Sequence, residues 1–592
     1  MKRPRPIRGA LTLLLVLALV GALLLAGLGD MALTDRDEGE YAASVAAMVK
    51  SGDYIVPTLN GRPYLEKPIL IFWTMAGAQR LLGPGEIAAR LPSALAGFLL
   101  VLAVGLFVWR ISGRPGLGAV AAACLGLCPL FLLVGRACLT DMLLSLFTTL
   151  ALFWFFWATE KEPPADRGWY LAAWAALALG FLTKGPVALA VVLPCALIYA
   201  IWQRRLLAVL KRGQLLWGLV ILLAVNLPWY GLVWYKLGSQ FWQAFFVSQN
   251  LRRFSETLLG HGGGLAYYLP VLLIGAFPFV AAALPELGRS LAQNPRAQRR
   301  VEPMARLHLF SALALLWTLV VFTLAATKQI NYILPGLPFL AILAGCSLDR
   351  LARGETGGRL ARSMFWIALL GLSALVALAL TALPVAVPLF WGRVEASLRF
   401  DSSEYALPFY GPVLLGWPLL AAATLVAMCL LLIWLYRSGR DRPLPWIMGA
   451  GAAVFCALIF LGLLPQAAGY IQEPAKQMAL EVAQRTGGKG RVVTFGLWKP
   501  SLIFYSGREL PRLRVDQAAE LVPELAKEAP LFIMTRVRLL EALDKHPGFS
   551  ELSRYGGYLL GGNQAALRLW RGRAAQTAPS AAPQAPVTGS GL

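Results

Sequence analysis

Acidic residues are scarce. The chain has 31 Asp and Glu against 54 Lys and Arg in 592 residues. Charged residues make up only 14% of it and hydrophobic ones 58%, whereas a soluble globular protein carries about 25% charged residues. With a mean hydropathy of +0.63, the composition excludes an ordinary soluble domain and places the chain among membrane proteins. Histidine is rarer still. His261, His308 and His546 are scattered, with no His/Cys pair at metal-ligand spacing, so a transition-metal enzyme is not expected. Carboxylates alone leave room for a divalent ion. The seven cysteines all lie in or beside apolar segments. They read as small core residues, and the polar C-terminal region has no disulfide staple. A net charge of +23 does not mark a nucleic-acid binder, because the basic residues sit in short loops between apolar runs, the pattern of membrane topology signals.

Apolar runs supply the architecture. A bilayer-crossing helix needs about 20 residues. Such runs lie at 9–29, 86–109, 116–135, 140–158, 169–183, 185–202, 213–235, 267–287, 307–326, 331–348, 363–388, 410–436 and 444–465. This predicts a polytopic α-helical membrane protein with about thirteen spans, the pair around Thr-Lys-Gly-Pro (183–186) being interrupted. The first run is too long for a signal-peptide core and lacks a small-x-small cleavage site, so it reads as an uncleaved span with its basic end inside. Alternate loops then carry Arg110 and Arg114; Arg204, Arg205, Lys211 and Arg212; Arg289 to Arg306; Arg350 to Arg362; and Arg437 to Arg442. The cations fall on one side, as the positive-inside rule requires, which puts 30–85 and everything after 465 outside. Residues 466–573 have ordinary polar content. A helix over 470–486, strands at 491–496 and 531–535, and helical patterns at 516–527 and 536–545 predict a small C-terminal α/β domain. The stretch 574–592 is low in complexity and reads as disordered. No internal repeat supports an inverted-repeat transporter.

The unusual polar residues gather on the outer side. Asp35, Asp37, Glu38, Glu66 and Lys67 occupy the first outer loop, Arg136 and Asp141 the second, and Lys184 the third. Arg252, Arg253 and His261 occupy the fourth, and Lys328 and Tyr332 the fifth. Acids and cations far apart in sequence but on one face suggest a converged site, with cations for a phosphate and a carboxylate for an acceptor. Each residue also has a plainer reading. Asp35, Asp37 and Glu38 suit the start of a helix. Lys184 and Lys328 suit span ends that snorkel to the interface. Arg252 and Arg253 suit the polar face of an interfacial helix, and Tyr332 an aromatic belt. A transporter would be expected to bury such charges at mid-span. A receptor or scaffold would not need the Asp37, Lys67 and Asp141 set.

The motif order resembles a known family. Asp-Glu-Gly-Glu-Tyr-Ala (37–42), Ser-Gly-Asp-Tyr-Ile-Val-Pro (51–57) and Tyr-Leu-Glu-Lys-Pro (64–68) are similar to the first outer loop of bacterial aminoarabinose transferases. These enzymes modify lipid A and are related to protein O-mannosyltransferases. Thr-Asp-Met (140–142), Leu-Thr-Lys-Gly-Pro-Val-Ala (182–188) and Lys328 with Tyr-Ile-Leu-Pro (332–335) match later landmarks. The fourth outer loop departs, reading Gln-Asn-Leu-Arg-Arg-Phe (249–254) where that family usually has Glu-His before Arg-Phe. The resemblance implies a GT-C glycosyltransferase of the inner membrane, with its site and C-terminal domain periplasmic. The implied donor is a sugar on undecaprenyl phosphate and the implied acceptor lipid A or lipopolysaccharide, with a protein or another glycan as the alternative. No cofactor is implied, and a monomer is expected. By motif, Asp37 is the principal catalytic acid and Asp141 the second. Glu66, Lys67, Arg253, Lys328, Tyr332 and Tyr41 form the substrate-binding set, with Lys67 on the donor phosphate.

Overall fold

The computed structural model describes residues 6–252, 256, 262–292, 303–355, 359–398 and 414–577. Arg253, His261 and the tail from 578 lie outside the described residues. The chain forms two compact units: Met1–Leu33, Glu40–Leu389 and Pro412–Ala468 in one; Thr34–Gly39, Phe390–Gly411 and Gly469–Leu592 in the other.

The first unit is helical. Among the described residues, nine helices are long and apolar enough to cross a membrane. Two further pairs, Pro115–Gly126 with Pro129–Gly135 and Tyr268–Gly275 with Val280–Ala292, are bent at a short break. The break at Thr-Lys-Gly-Pro is a true boundary. Arg167–Lys184 ends at Gly185, whose φ of 68° suits a residue without Cβ, and Pro186 opens the helix Pro186–Trp202. By length and composition the described residues hold nine to eleven candidate spans; the thirteen apolar runs of the sequence also include the two helices around Gly185.

Arg136, one of the outer-face cations, has a structural post. It is 3% exposed and donates to the carbonyls of Leu23 (2.6 Å), Ala26 (2.7 Å) and Gly27 (3.1 Å). Those oxygens lie in the last turn of the helix Pro6–Leu25 and just beyond it, where carbonyls lack intrahelical partners and the dipole favours a cation. Arg90, 1% exposed, treats Leu28, Met31 and Ala32 alike. Three further basic residues are tied to acids distant in sequence: Arg114 to Asp349, Arg306 to Glu160, and Arg362 to Asp441.

Asp53 pairs with Lys236 at 2.8 Å. Burial alone would raise its pKa, but Lys236 and the N–H groups of Ile55 and Val56 outweigh that and hold it below the ordinary value. The pair thus stabilises above the usual aspartate pKa of about 3.9, and that stability is lost as pH falls through the lowered folded value. Both side chains are 40% exposed, so solvent screening keeps the contribution below about 1 kcal/mol. Lys236→Met is expected to lower the denaturation midpoint slightly at neutral pH. Midpoints measured at a pH below the lowered folded value, or in about 1 M salt, should show no difference.

The second unit carries a five-stranded sheet in the order Arg512–Leu513, Arg491–Phe495, Leu531–Arg536, Tyr558–Gly562, Ser550–Tyr555. The first three strands run parallel, and the last two add antiparallel. Val493, Phe495, Leu521, Leu525, Leu531, Ile533 and Leu543 form its core. The helix Glu473–Thr486 and the two central strands lie where the apolar periodicity puts them. The patterns at 516–527 and 536–545 each resolve into a 3-10 turn followed by a short helix. The hairpin Ser550–Tyr555/Tyr558–Gly562 was not read from the sequence. Its signal is the Gly556-Gly557 pair, a two-residue turn with φ 55° at Gly556. The helix Gln564–Thr577 runs past residue 573, into the stretch expected to be disordered.

Candidate active site

Five stretches of the first unit surround a cavity of about 450 Å³. Glu66, Lys67 and Pro68 come from the first outer loop; Lys184, Pro186, Val187 and Ala190 from the Gly185 break. Trp242, Phe245, Phe246 and Gln249 come from the π-type helix Trp242–Arg252. Val321 and Phe322 lie in the last turn of the helix Pro303–Leu324, Ala325 and Thr327 follow it, and Tyr332 comes from the 3-10 turn Ile330–Gly336.

The polar end is built around Lys184. Its Nζ donates to Asp141 Oδ1 at 2.7 Å and lies 4.5 Å from the centroid of the Tyr332 ring. The two charged side chains are 11% and 4% exposed. Asp141 sits in the first turn of the helix Thr140–Thr159, where the helix dipole favours an anion. Asp141 therefore serves Lys184, and Tyr332 supplies a π face to the same ammonium. The sequence counted Lys184 among the outer-face cations, with a span-end anchor as its plainer reading, and left it out of the substrate-binding set. The signal that it does more is its place in a Gly-Pro break, which projects a side chain from a helix end.

Lys67 is 7% exposed. Glu66, its only carboxylate in ion-pair range among the described residues, is 3.8 Å away, too far for a hydrogen bond. Its ammonium is thus available to an anion in the cavity. Lys328, 5% exposed, donates to the Ala325 carbonyl at 2.6 Å. Gln249 was overlooked as a site residue: it lines the cavity, and its side-chain oxygen is buried with no partner among the described residues. Tyr41 stands elsewhere. It is 1% exposed and packs edge-on against Phe72 (5.4 Å) and Tyr64 (6.2 Å).

Asp37 belongs to the second unit and opens the helix Asp37–Ser51. Glu38 does the capping expected here, accepting both the N–H and the hydroxyl of Thr34 at 2.9 Å. Among the described residues no group of three His, Cys, Asp or Glu is placed to hold a metal. The cavity has two ammonium groups at one end and aromatic and aliphatic walls elsewhere. Its chemistry suits a phosphate attached to a hydrocarbon.

One chain thus carries an apolar helical unit with such a cavity and a small α/β unit. The family model described as dolichyl-phosphate-mannose-protein mannosyltransferase matches residues 66–234. An undecaprenyl phosphate-α-4-amino-4-deoxy-L-arabinose arabinosyl transferase of Shewanella sediminis is 30% identical over 414 residues, 68% of this chain and 70% of that one. The protein of that name from Pectobacterium carotovorum is 31% identical over 461 residues, 76% of this chain and 75% of that one. The crystal structure of ArnT from Cupriavidus metallidurans, bound to undecaprenyl phosphate, matches with a TM-score of 0.75 at 23% identity, over 94% of this chain and 98% of that one. The chain belongs to the undecaprenyl phosphate-aminoarabinose arabinosyl transferase family.

Proposed function

We propose that this enzyme transfers 4-amino-4-deoxy-L-arabinose from undecaprenyl phosphate to lipid A at the periplasmic face of the inner membrane, as a monomer and without a cofactor. The observation that carries this reading is the cavity: Lys67 and the Asp141-held Lys184 at its polar end, hydrocarbon-compatible walls around the rest. The relatives' names supply the donor.

The reaction is a single inverting displacement. An acceptor oxygen forms a bond to the anomeric carbon as the bond from that carbon to the donor phosphate breaks, and undecaprenyl phosphate leaves with the electron pair. Negative charge grows on the leaving phosphate. Lys67 and Lys184 stabilise it, joined by Lys328 and by Arg253, which the sequence motif supplies. A fixed donor of this kind contributes about 3–4 kcal/mol in a water-excluded site. Asp141 acts through Lys184 by fixing its ammonium. Asp37 acts on the acceptor. It takes the proton of a hydroxyl acceptor; a lipid A phosphate is already ionised, and there Asp37 orients the acceptor or a cation.

Reconstitution in liposomes with undecaprenyl-phosphate-linked aminoarabinose and lipid A tests the reading. Mass spectrometry should show aminoarabinose on lipid A. Use of a mannose-linked donor on a polypeptide with none of this product, or passage of the sugar into sealed vesicles with no covalent product, would overturn it. Sidedness has its own test. The side chains of Asp516 and Arg212 are 64% and 45% exposed. A membrane-impermeant thiol reagent applied to intact spheroplasts should label Asp516→Cys and spare Arg212→Cys; the reverse pattern inverts the topology.

A further inference from the structure

Resting on the reading that Asp37 acts on the acceptor, we propose that Lys499 is a positioning residue for it. Through Asp35, Lys499 fixes the short segment that carries the acid. Thr34–Gly39 groups with the second unit, with Gly469–Leu592, although its last three residues are the first turn of the helix Asp37–Ser51. The side chains of Lys499 and Asp35 are both fully buried and ion-paired. Lys499 Nζ also donates to Gln472 Oε1 at 2.8 Å and lies 5.6 Å from the Tyr558 ring centroid. The other Asp35 oxygen accepts the backbone N–H of Ser501 at 3.0 Å.

A second fixing point lies on the far side of Asp37. A Cβ added at Gly39 would stand 2.7 Å from the Ser501 backbone nitrogen, so two backbones meet there with no room for a side chain. The segment is therefore held at 35 and at 39. Between them Arg36 takes φ 65°, a conformation uncommon for a non-glycine residue and maintained only where its surroundings over-determine it. A buried ion pair is a poor device for stability alone, because a well-packed apolar pair of the same volume often does as well or better. It is a good device for register, since each charge accepts only one placement of the other. The geometry thus makes the C-terminal unit the element that sets where the Asp37 backbone lies.

The test pairs Asp35→Ala with Lys499→Met, which removes both charges and so avoids the unpaired buried carboxylate that would threaten folding of Lys499→Met alone. In the liposome assay the double variant should melt within a few degrees of the parent protein and bind undecaprenyl phosphate with a Kd within about twofold. Its kcat should fall about 10–100-fold, the range expected of sub-ångström to ångström misplacement of a reacting group. In an Asp37→Asn background the same double change should alter the residual rate by less than about twofold. Unchanged kcat in the double variant overturns the proposal, and so does a loss of donor affinity and melting temperature in step with kcat. The failure of the underlying reading looks different: Asp37→Asn would itself be fully active.

Discussion

Lys184→Met is expected to lower kcat for sugar transfer by about 10²-fold or more, the scale on which a single preorganised donor to developing negative charge is measured. The magnitude follows from placement. The ammonium lines the cavity, is nearly withdrawn from solvent and has its position set by Asp141 at 2.7 Å and the Tyr332 face at 4.5 Å. It is fixed before charge develops, so the protein does not reorganise during the reaction. The single variant leaves Asp141 buried without its cation, and breaking a buried pair costs about 3–5 kcal/mol. Lost activity in Lys184→Met could therefore mean lost folding. Lys184→Met with Asp141→Asn separates the two, since it removes both charges. It should recover the melting temperature and remain slow. A double variant that recovers both would make the pair purely structural. Lys184→Arg should fold and keep part of the rate, because the cation stays while its geometry changes.

Asp37→Asn has the other large expected effect: kcat down about 10²–10⁴-fold if the acceptor group is a hydroxyl, the usual worth of a positioned general base. Asn preserves the size of the side chain and its place at the start of the helix Asp37–Ser51, so melting and donor binding should be unchanged. Comparing acceptors sharpens the result. With a lipid A phosphate already ionised, no proton has to be removed, and the loss should be smaller and independent of pH. With a hydroxyl acceptor it should be large. Normal turnover of Asp37→Asn on both acceptors would remove this carboxylate from the mechanism.

Much of this architecture is visible in the residues. The apolar runs coincide with the helices and the bent pairs, because a bilayer demands about 20 apolar residues in each crossing segment and sequence records that demand locally. The C-terminal sheet was half visible: its two central strands are largely apolar runs, whereas the outer hairpin joins a polar strand with no buried position, Ser550–Tyr555, to a short buried one ending in Gly-Gly, and gives a weaker signal. Lys67 and Tyr332 line the cavity, and Asp37 opens a helix as its acidic neighbourhood implies. Tyr41, which shares a motif with Asp37, is buried against Phe72 and Tyr64 and is not among the residues lining this cavity.

The sequence by itself determined the membrane class, the positions of the apolar helices, the polar C-terminal unit and the set of charged residues from which a site is drawn. Each follows from composition or local periodicity. Tertiary structure alone decided the partnerships. Lys184 meets Asp141 across 43 residues, Arg136 meets the end of the first helix across 110 or more, and Lys499 meets Asp35 across 464. A buried charge must find an opposite charge or a row of carbonyls. Which one it finds depends on how helices and strands pack, and no local pattern in a chain encodes that.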